Sequence, residues 1–169
     1  MRNAIPLGML LAVLLTACDR RPHGETGIAH GGGQHPPHQV FRPSEIEWQA
    51  APPAFERGAE VAVLEGDPSA EGEVYTLRLR LPPDYVIAPH THPLPERAVV
   101  LSGEFYLGHG ETVDREEAER LEPGTYSMIP PGSVHYVLTG SEGDTILHIT
   151  SIGPLEINYV DPEDDPRRR

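Results

Sequence analysis

Residues 84–103 read DYVIAPHTHPLPERAVVLSG, and this stretch decides how the chain is read. His90 and His92 are one residue apart. In a strand such residues share a face with α-carbons roughly 6.5–7 Å apart, so two imidazoles can converge on one ion. Glu96 has the same parity, but Pro93-Leu94-Pro95 turns the chain first, so it arrives from the next strand, Glu96–Leu101. Ala98 and Val100 share its face and can wall the site. His135 comes from a separate strand introduced by Pro130-Pro131-Gly132. Three imidazoles and one carboxylate aimed at one point describe a divalent-metal site. Without thiolate the set is hard to intermediate and suits Mn, Fe, Ni, Cu or Zn. Each imidazole must be neutral and the carboxylate ionised to ligate, so binding weakens in acid.

Outward from that stretch the signals are those of strands. Val74–Leu81 alternates, with Tyr75, Leu77, Leu79 and Leu81 on one face and Thr76, Arg78 and Arg80 on the other. Val61–Leu64, Phe105–Leu107, Thr125–Ile129, Val134–Thr139, Thr145–Ile152 and a last strand through Leu155, Ile157 and Tyr159 follow the same pattern, broken by Gly/Pro turns. Asp114–Leu121 is the one helical candidate: Asp114 can cap it and Glu117 sits where a capping box wants an acid. Ser44–Trp48 has the signals of a helical turn. About nine short strands and one short helix make an all-β sandwich or barrel.

The ligand spacing resembles the cupin superfamily. Its first motif has the form G-x5-H-x-H-x3-E-x6-G; here Asp84 stands at the leading glycine and His90, His92, Glu96 and Gly103 follow in register. Its second has the form G-x5-P-x-G-x2-H-x3-N; Gly124, Pro130, Gly132 and His135 match and Thr139 replaces the asparagine. Both departures fall outside the ligands and put the turn geometry and the groups behind the ligands in question. The resemblance covers roughly residues 60 to 152. It implies a double-stranded β-helix, or jelly-roll barrel, with the metal inside on His90, His92, Glu96 and His135 and one or two positions left for water or substrate. The alternative is a cupin-like barrel whose polar pocket takes a ligand without metal.

The two ends of the chain read differently. A short apolar run from Ile5 to Leu15 follows Arg2 and leads into Leu15-Thr16-Ala17-Cys18, which resembles a bacterial lipobox. Residues 1–17 are then a lipoprotein signal peptide and Cys18 the lipidated residue; the alternatives are an ordinary cleaved signal or a chance hydrophobic start. Residues 18–43, with His23, His30, His35 and His38 among Gly and Pro, read as a flexible tether, residues 44–160 as the cupin domain, and the charged tail 161–169 as disordered. The expected location is a bacterial membrane, facing the periplasm or the exterior, through the lipid at Cys18.

Composition removes other classes. Cys18 is the only cysteine, so no intramolecular disulfide or thiolate nucleophile is available. All thirteen basic residues are arginine, which excludes lysine chemistry. A net charge of −13 argues against nucleic acid as a partner. A small molecule is the expected partner, and exposed sheet edges allow a homodimer.

Two functions remain open. One is a metal-dependent oxidoreductase of dioxygenase type, which open positions beside neutral imidazoles permit. The other is a non-catalytic small-molecule or metal-binding sensor module. His148 can face the pocket or the outside. Tyr75, Phe105, Tyr106, Tyr126 and Tyr136 can line a pocket or pack a core; Tyr136, opposite in parity to His135, belongs away from the metal. His109 belongs on a loop, and Arg97, beside Glu96 but on the other face, is structural.

Overall fold

The computed structural model describes residues 38–169. Its strands are β1 (Gln49–Ala50), β2 (Glu60–Glu65), β3 (Val74–Leu81), β4 (Val86–Thr91), β5 (Glu96–Ser102), β6 (Phe105–His109), β7 (Glu119–Leu121), β8 (Tyr126–Ile129), β9 (His135–Thr139), β10 (Thr145–Ile152) and β11 (Asn158–Tyr159). All pairings are antiparallel, in one sheet ordered β1-β2-β3-β10-β5-β8 and another ordered β11-β4-β9-β6-β7. This is a jelly roll.

The alternation in β3 builds the core. Tyr75, Leu77, Leu79 and Leu81 are buried while Thr76, Arg78 and Arg80 stay on the outer face. On the neighbouring strand β10, Leu147 and Ile149 turn inward opposite Leu79 and Leu77. The other sheet contributes Ile87, Phe105, Leu107 and Val137. Each such side chain stabilises the fold by about 1.5–3 kcal/mol through burial.

No α-helix occurs among the described residues; helix is confined to 3-10 turns at Pro43–Glu45, Pro162–Asp164 and Pro166–Arg168. The helix expected over Asp114–Leu121 is therefore absent. Asp114 does cap, its Oδ1 accepting from the Glu116 and Glu117 backbone N–H groups at 2.9 and 3.3 Å. The turn does not propagate, because Glu119–Leu121 pairs with Phe105–Leu107 and buries Leu121. Eight residues without tertiary support are too few to recover the cost of helix nucleation. The turn expected over Ser44–Trp48 is likewise shorter and starts at Pro43.

Both departures from the cupin motifs are resolved by geometry. Asp84 takes φ +56°, the left-handed conformation for which a glycine serves and which aspartate tolerates. Thr139 is fully buried; its Oγ1 accepts from Tyr85 N–H at 2.7 Å and donates to Pro82 O at 2.8 Å. It ties the 82–85 turn to the end of β9. Gly103 matches its motif for a steric reason: at φ +88°, a Cβ there would lie 2.6 Å from Thr145.

Residues 161–169, expected to be disordered, fold back on the barrel. Asp161 and Asp165 cap the two final turns, and Arg167 donates to Ile157 O at 3.0 Å. Arg169 pairs with Glu56. The charged run has partners on the body of the protein.

Candidate metal centre

The site is set by an irregularity in β4. Ile87 pairs with Val137 and His90 with His135, so three steps along β4 match two along β9. Such a bulge re-aims the side chains that follow it. Ile87 and His90, three apart, are both buried and both line the chamber between the sheets, and His92 joins them beyond the end of β4. Without the extra residue, Ile87 inside would put His90 and His92 outside. His135 opens β9 directly opposite His90.

His90, His92 and His135 are buried together, and each offers a ring nitrogen within 4.8 Å of the others'. Ring centroids stand 4.1 Å apart for His90–His135, 4.9 Å for His90–His92 and 5.2 Å for His92–His135. Every Nδ1 lies within hydrogen-bond reach of a backbone carbonyl: His90 of Ala88 at 2.8 Å, His92 of Glu156 at 2.7 Å, His135 of Ser133 at 3.0 Å. A neutral imidazole that donates from Nδ1 keeps an unprotonated Nε2 free to ligate. Glu96 opens β5 and brings Oε2 to 3.6 Å from His92 Nε2, at the side of the three-histidine cluster.

Electrostatics keep two of the three histidines neutral. Burial, with the neighbouring His135 and His92, holds His90 well below the usual histidine range. Burial lowers His135 to about 4, against the upward pull of the Ser133 carbonyl. Burial raises the Glu96 carboxyl, and His92 opposes the shift. Neutral His90 and His135 are what a divalent cation requires, while the protonated form that burial favours at Glu96 would give up its proton to a bound ion; with that exchange the residues present fit one.

The three histidines, and Glu96 which lies outside their 4.8 Å cluster, line a chamber of about 30 Å³, room for one or two waters. Its other walls are apolar, among them Leu77, Ile87, Ala98, Phe105 and Val137, with Ser127 the remaining polar side chain. Val100 is buried in the core and outside the chamber lining. Of the other sequence candidates, Phe105 lines the chamber and Tyr75 lies beside Glu96; burial, opposed by Ser151 and helped by Glu96, raises the Tyr75 phenol to about 12. Tyr136 points away from the three histidines, as its parity requires, and donates to Asp114 O at 2.6 Å while its ring fills the space above Gly108. Tyr126 is exposed and Tyr106 half-buried. His148 and Arg97 lie on the outer face of the first sheet. His109 ends β6 instead of sitting on a loop. Cys18, His23, His30 and His35 lie outside the described residues.

Sequence reasoning missed Ser127 and Phe55. Ser127 shares the parity of the buried Ile129 and was legible from the alternation of that strand. Phe55 comes from a Pro/Ala loop with no periodic signal.

The family described as the ChrR cupin-like domain matches residues 36–156. No curated protein sequence matches the chain. Among solved structures, the polyketide cyclase RemF from Streptomyces resistomycificus is 17% identical with TM-score 0.63, over 78% of this chain and 91% of that one. A cupin-2 domain protein from Rhodospirillum rubrum is 14% identical with TM-score 0.55, over 77% and 85%. The DMSP lyase DddQ from Ruegeria pomeroyi DSS-3 is 19% identical with TM-score 0.54, over 71% and 64%. At these identities the structures share the fold.

Proposed function

This chain belongs to the ChrR cupin-like domain family, and from that premise we propose that it holds one divalent transition metal on His90, His92, His135 and Glu96 and acts on a small molecule as an oxidoreductase of dioxygenase type. The observation that carries the reading is the set of three backbone carbonyls at the three Nδ1 atoms, which leaves three Nε2 atoms for an ion. When bound, such a metal supplies Lewis-acid polarisation or one-electron chemistry at its open positions. The chain's own part is to orient the imidazoles, keep His90 and His135 neutral and exclude bulk water with an apolar wall. Glu96 balances one unit of the ion's charge.

The small chamber favours a second reading, a metal-binding or sensor module without turnover. About 30 Å³ leaves little space beside an ion for a substrate of any size. Metal analysis of the purified protein, with oxygen uptake on a catechol and a flavonol, separates the two. Redox-active iron, copper or manganese with uptake supports the enzyme; zinc without turnover supports the module; absence of stoichiometric metal overturns both.

We also infer that the chain is exported and attached to a membrane through lipid on Cys18. The sequence Leu15-Thr16-Ala17-Cys18 supports this. Cys18→Ser is expected to release the protein from membrane fractions, and unchanged fractionation would contradict the anchor.

A further inference from the structure

The loop 51–57 borders the metal chamber without belonging to either sheet. Ala51 N–H bonds Ala59 O at 3.0 Å and Phe55 N–H bonds Pro52 O at 2.9 Å, which closes the segment into a compact turn. Its apolar tip, Phe55, lines the chamber with Leu155 and Ile157 and packs on the core while staying half-buried. A ring that touches the chamber on one side and solvent on the other is a boundary between them.

The residues on both sides of Phe55 are held by hydroxyls. Tyr159 donates to Ala54 O at 2.7 Å and Tyr85 to Glu56 O at 2.6 Å. Arg169 adds an ion pair to Glu56. Tyr159 also belongs to the site: it pairs with His90 across β11 and β4, and its ring centroid stands 6.0 Å from that of His90. Glu56, Tyr85, Tyr159 and Arg169 in turn line an open surface groove of about 400 Å³. The contacts that fix the loop are thus themselves reachable from solvent.

We propose that Phe55 is the gate of the metal chamber and sets the size of ligand that reaches it, with Tyr85, Tyr159 and Arg169 as its latch. The proposal rests on the reading of the chamber as a ligand site. With the gate shut, about 30 Å³ admits ligands of water or dioxygen size. An aromatic ring needs on the order of 150 Å³. Phe55→Ala deletes a benzene-sized group from the wall, so it should convert a chamber closed to aromatic hydrocarbons into one that takes them.

The test uses the full chain, apo and cobalt(II)-loaded, as wild type, Phe55→Ala and Tyr159→Phe. Toluene is the large probe, read by the shift of the melting midpoint, which reports binding to the native state. Azide is the small probe, read by the cobalt absorption spectrum. Toluene is expected to raise the midpoint of Phe55→Ala by several degrees and to leave wild type unmoved, in both apo and cobalt forms. Azide affinity should stay within about twofold of wild type, since the metal and its open position are untouched. Tyr159→Phe keeps the ring beside His90 and loses only the hydroxyl; azide should enter it at least about fivefold faster. Equal toluene shifts in wild type and Phe55→Ala, or unchanged azide entry in Tyr159→Phe, would overturn the gate. If Phe55→Ala does not fold, Phe55→Leu replaces it, with a smaller toluene shift expected and no shift overturning the proposal. Failure of cobalt to bind, with the toluene difference intact, would remove the metal reading and support the gate.

Discussion

The two ends of β9 carry buried polar side chains that are treated in opposite ways. At one end Thr139 holds its hydroxyl between two backbone partners, accepting from Tyr85 N–H and donating its one proton to Pro82 O. At the other, His135 has one ring nitrogen at a carbonyl and turns the other toward two more imidazoles. Thr145, next to the Thr139 end, is also satisfied, donating to Glu104 O at 3.0 Å. A buried group satisfied on every side is structural. The ring nitrogen that His135 leaves over faces the chamber, where an ion or a water can meet it.

Four changes probe that contrast. The largest effect is expected from His135→Ala: divalent-metal affinity, measured by competition with a chelating indicator, should fall by more than about 100-fold, beyond the 10–100-fold that loss of an outer-shell partner brings. Unchanged affinity would remove His135 from the site. At the other end Thr139→Val should cost about 1–3 kcal/mol for each backbone group it orphans, measured by urea denaturation, with metal stoichiometry intact. A variant that lost metal and kept its stability would reverse the roles assigned to the two ends.

Proton linkage gives a third, intermediate effect. His90 and His135 are depressed on folding, His135 to about 4. At these two histidines the unfolded chain therefore binds more protons between pH ~4 and ~6.5, and their contribution to the apo protein's stability rises with pH across that window. It is fully present above the unfolded histidine value and lost as pH falls, by on the order of 3 kcal/mol for His135 alone. Glu96, raised by burial, works the other way: its share is present below the unfolded carboxyl value and lost as pH climbs. In a Glu96→Gln variant, which removes that opposing carboxyl, urea midpoints of the apo protein should increase from pH ~4.5 to ~6.5. A flat or falling profile would contradict the burial of neutral imidazoles.

The smallest effect is expected from His148→Gln. His148 stands on the outer face of β10, between Leu147 and Ile149, which face the chamber. Stability should change by less than about 0.5 kcal/mol, and metal affinity not at all. A loss of metal would show that inside and outside had been misassigned on that strand.

Much of this was legible in the sequence. β3 and β10 have the bounds that their alternation and flanking turns predict, since a half-buried strand writes a period of two. The histidine spacing and two motifs in order pointed to the jelly roll and to the residues that now lie together. The rest needed tertiary information. The bulge that brings His90 inward is a property of pairing between β4 and β9 and leaves no mark on β4 alone. Asp114 caps as its sequence says, yet Leu121 goes to a strand because Phe105 was waiting for a partner. Arg167 and Arg169 looked like a solvated run because Ile157 O and Glu56, their partners, are supplied by the fold. Phe55 had no pattern to reveal it.

The central claim is that three oriented imidazoles and Glu96 close on one ion. X-ray absorption on protein loaded with one equivalent of zinc or manganese tests it most directly. The prediction is a single site with three imidazole nitrogens and a carboxylate oxygen, lost in His135→Ala. A spectrum unaltered by His135→Ala, or metal held instead by His23, His30 and His35, would contradict it.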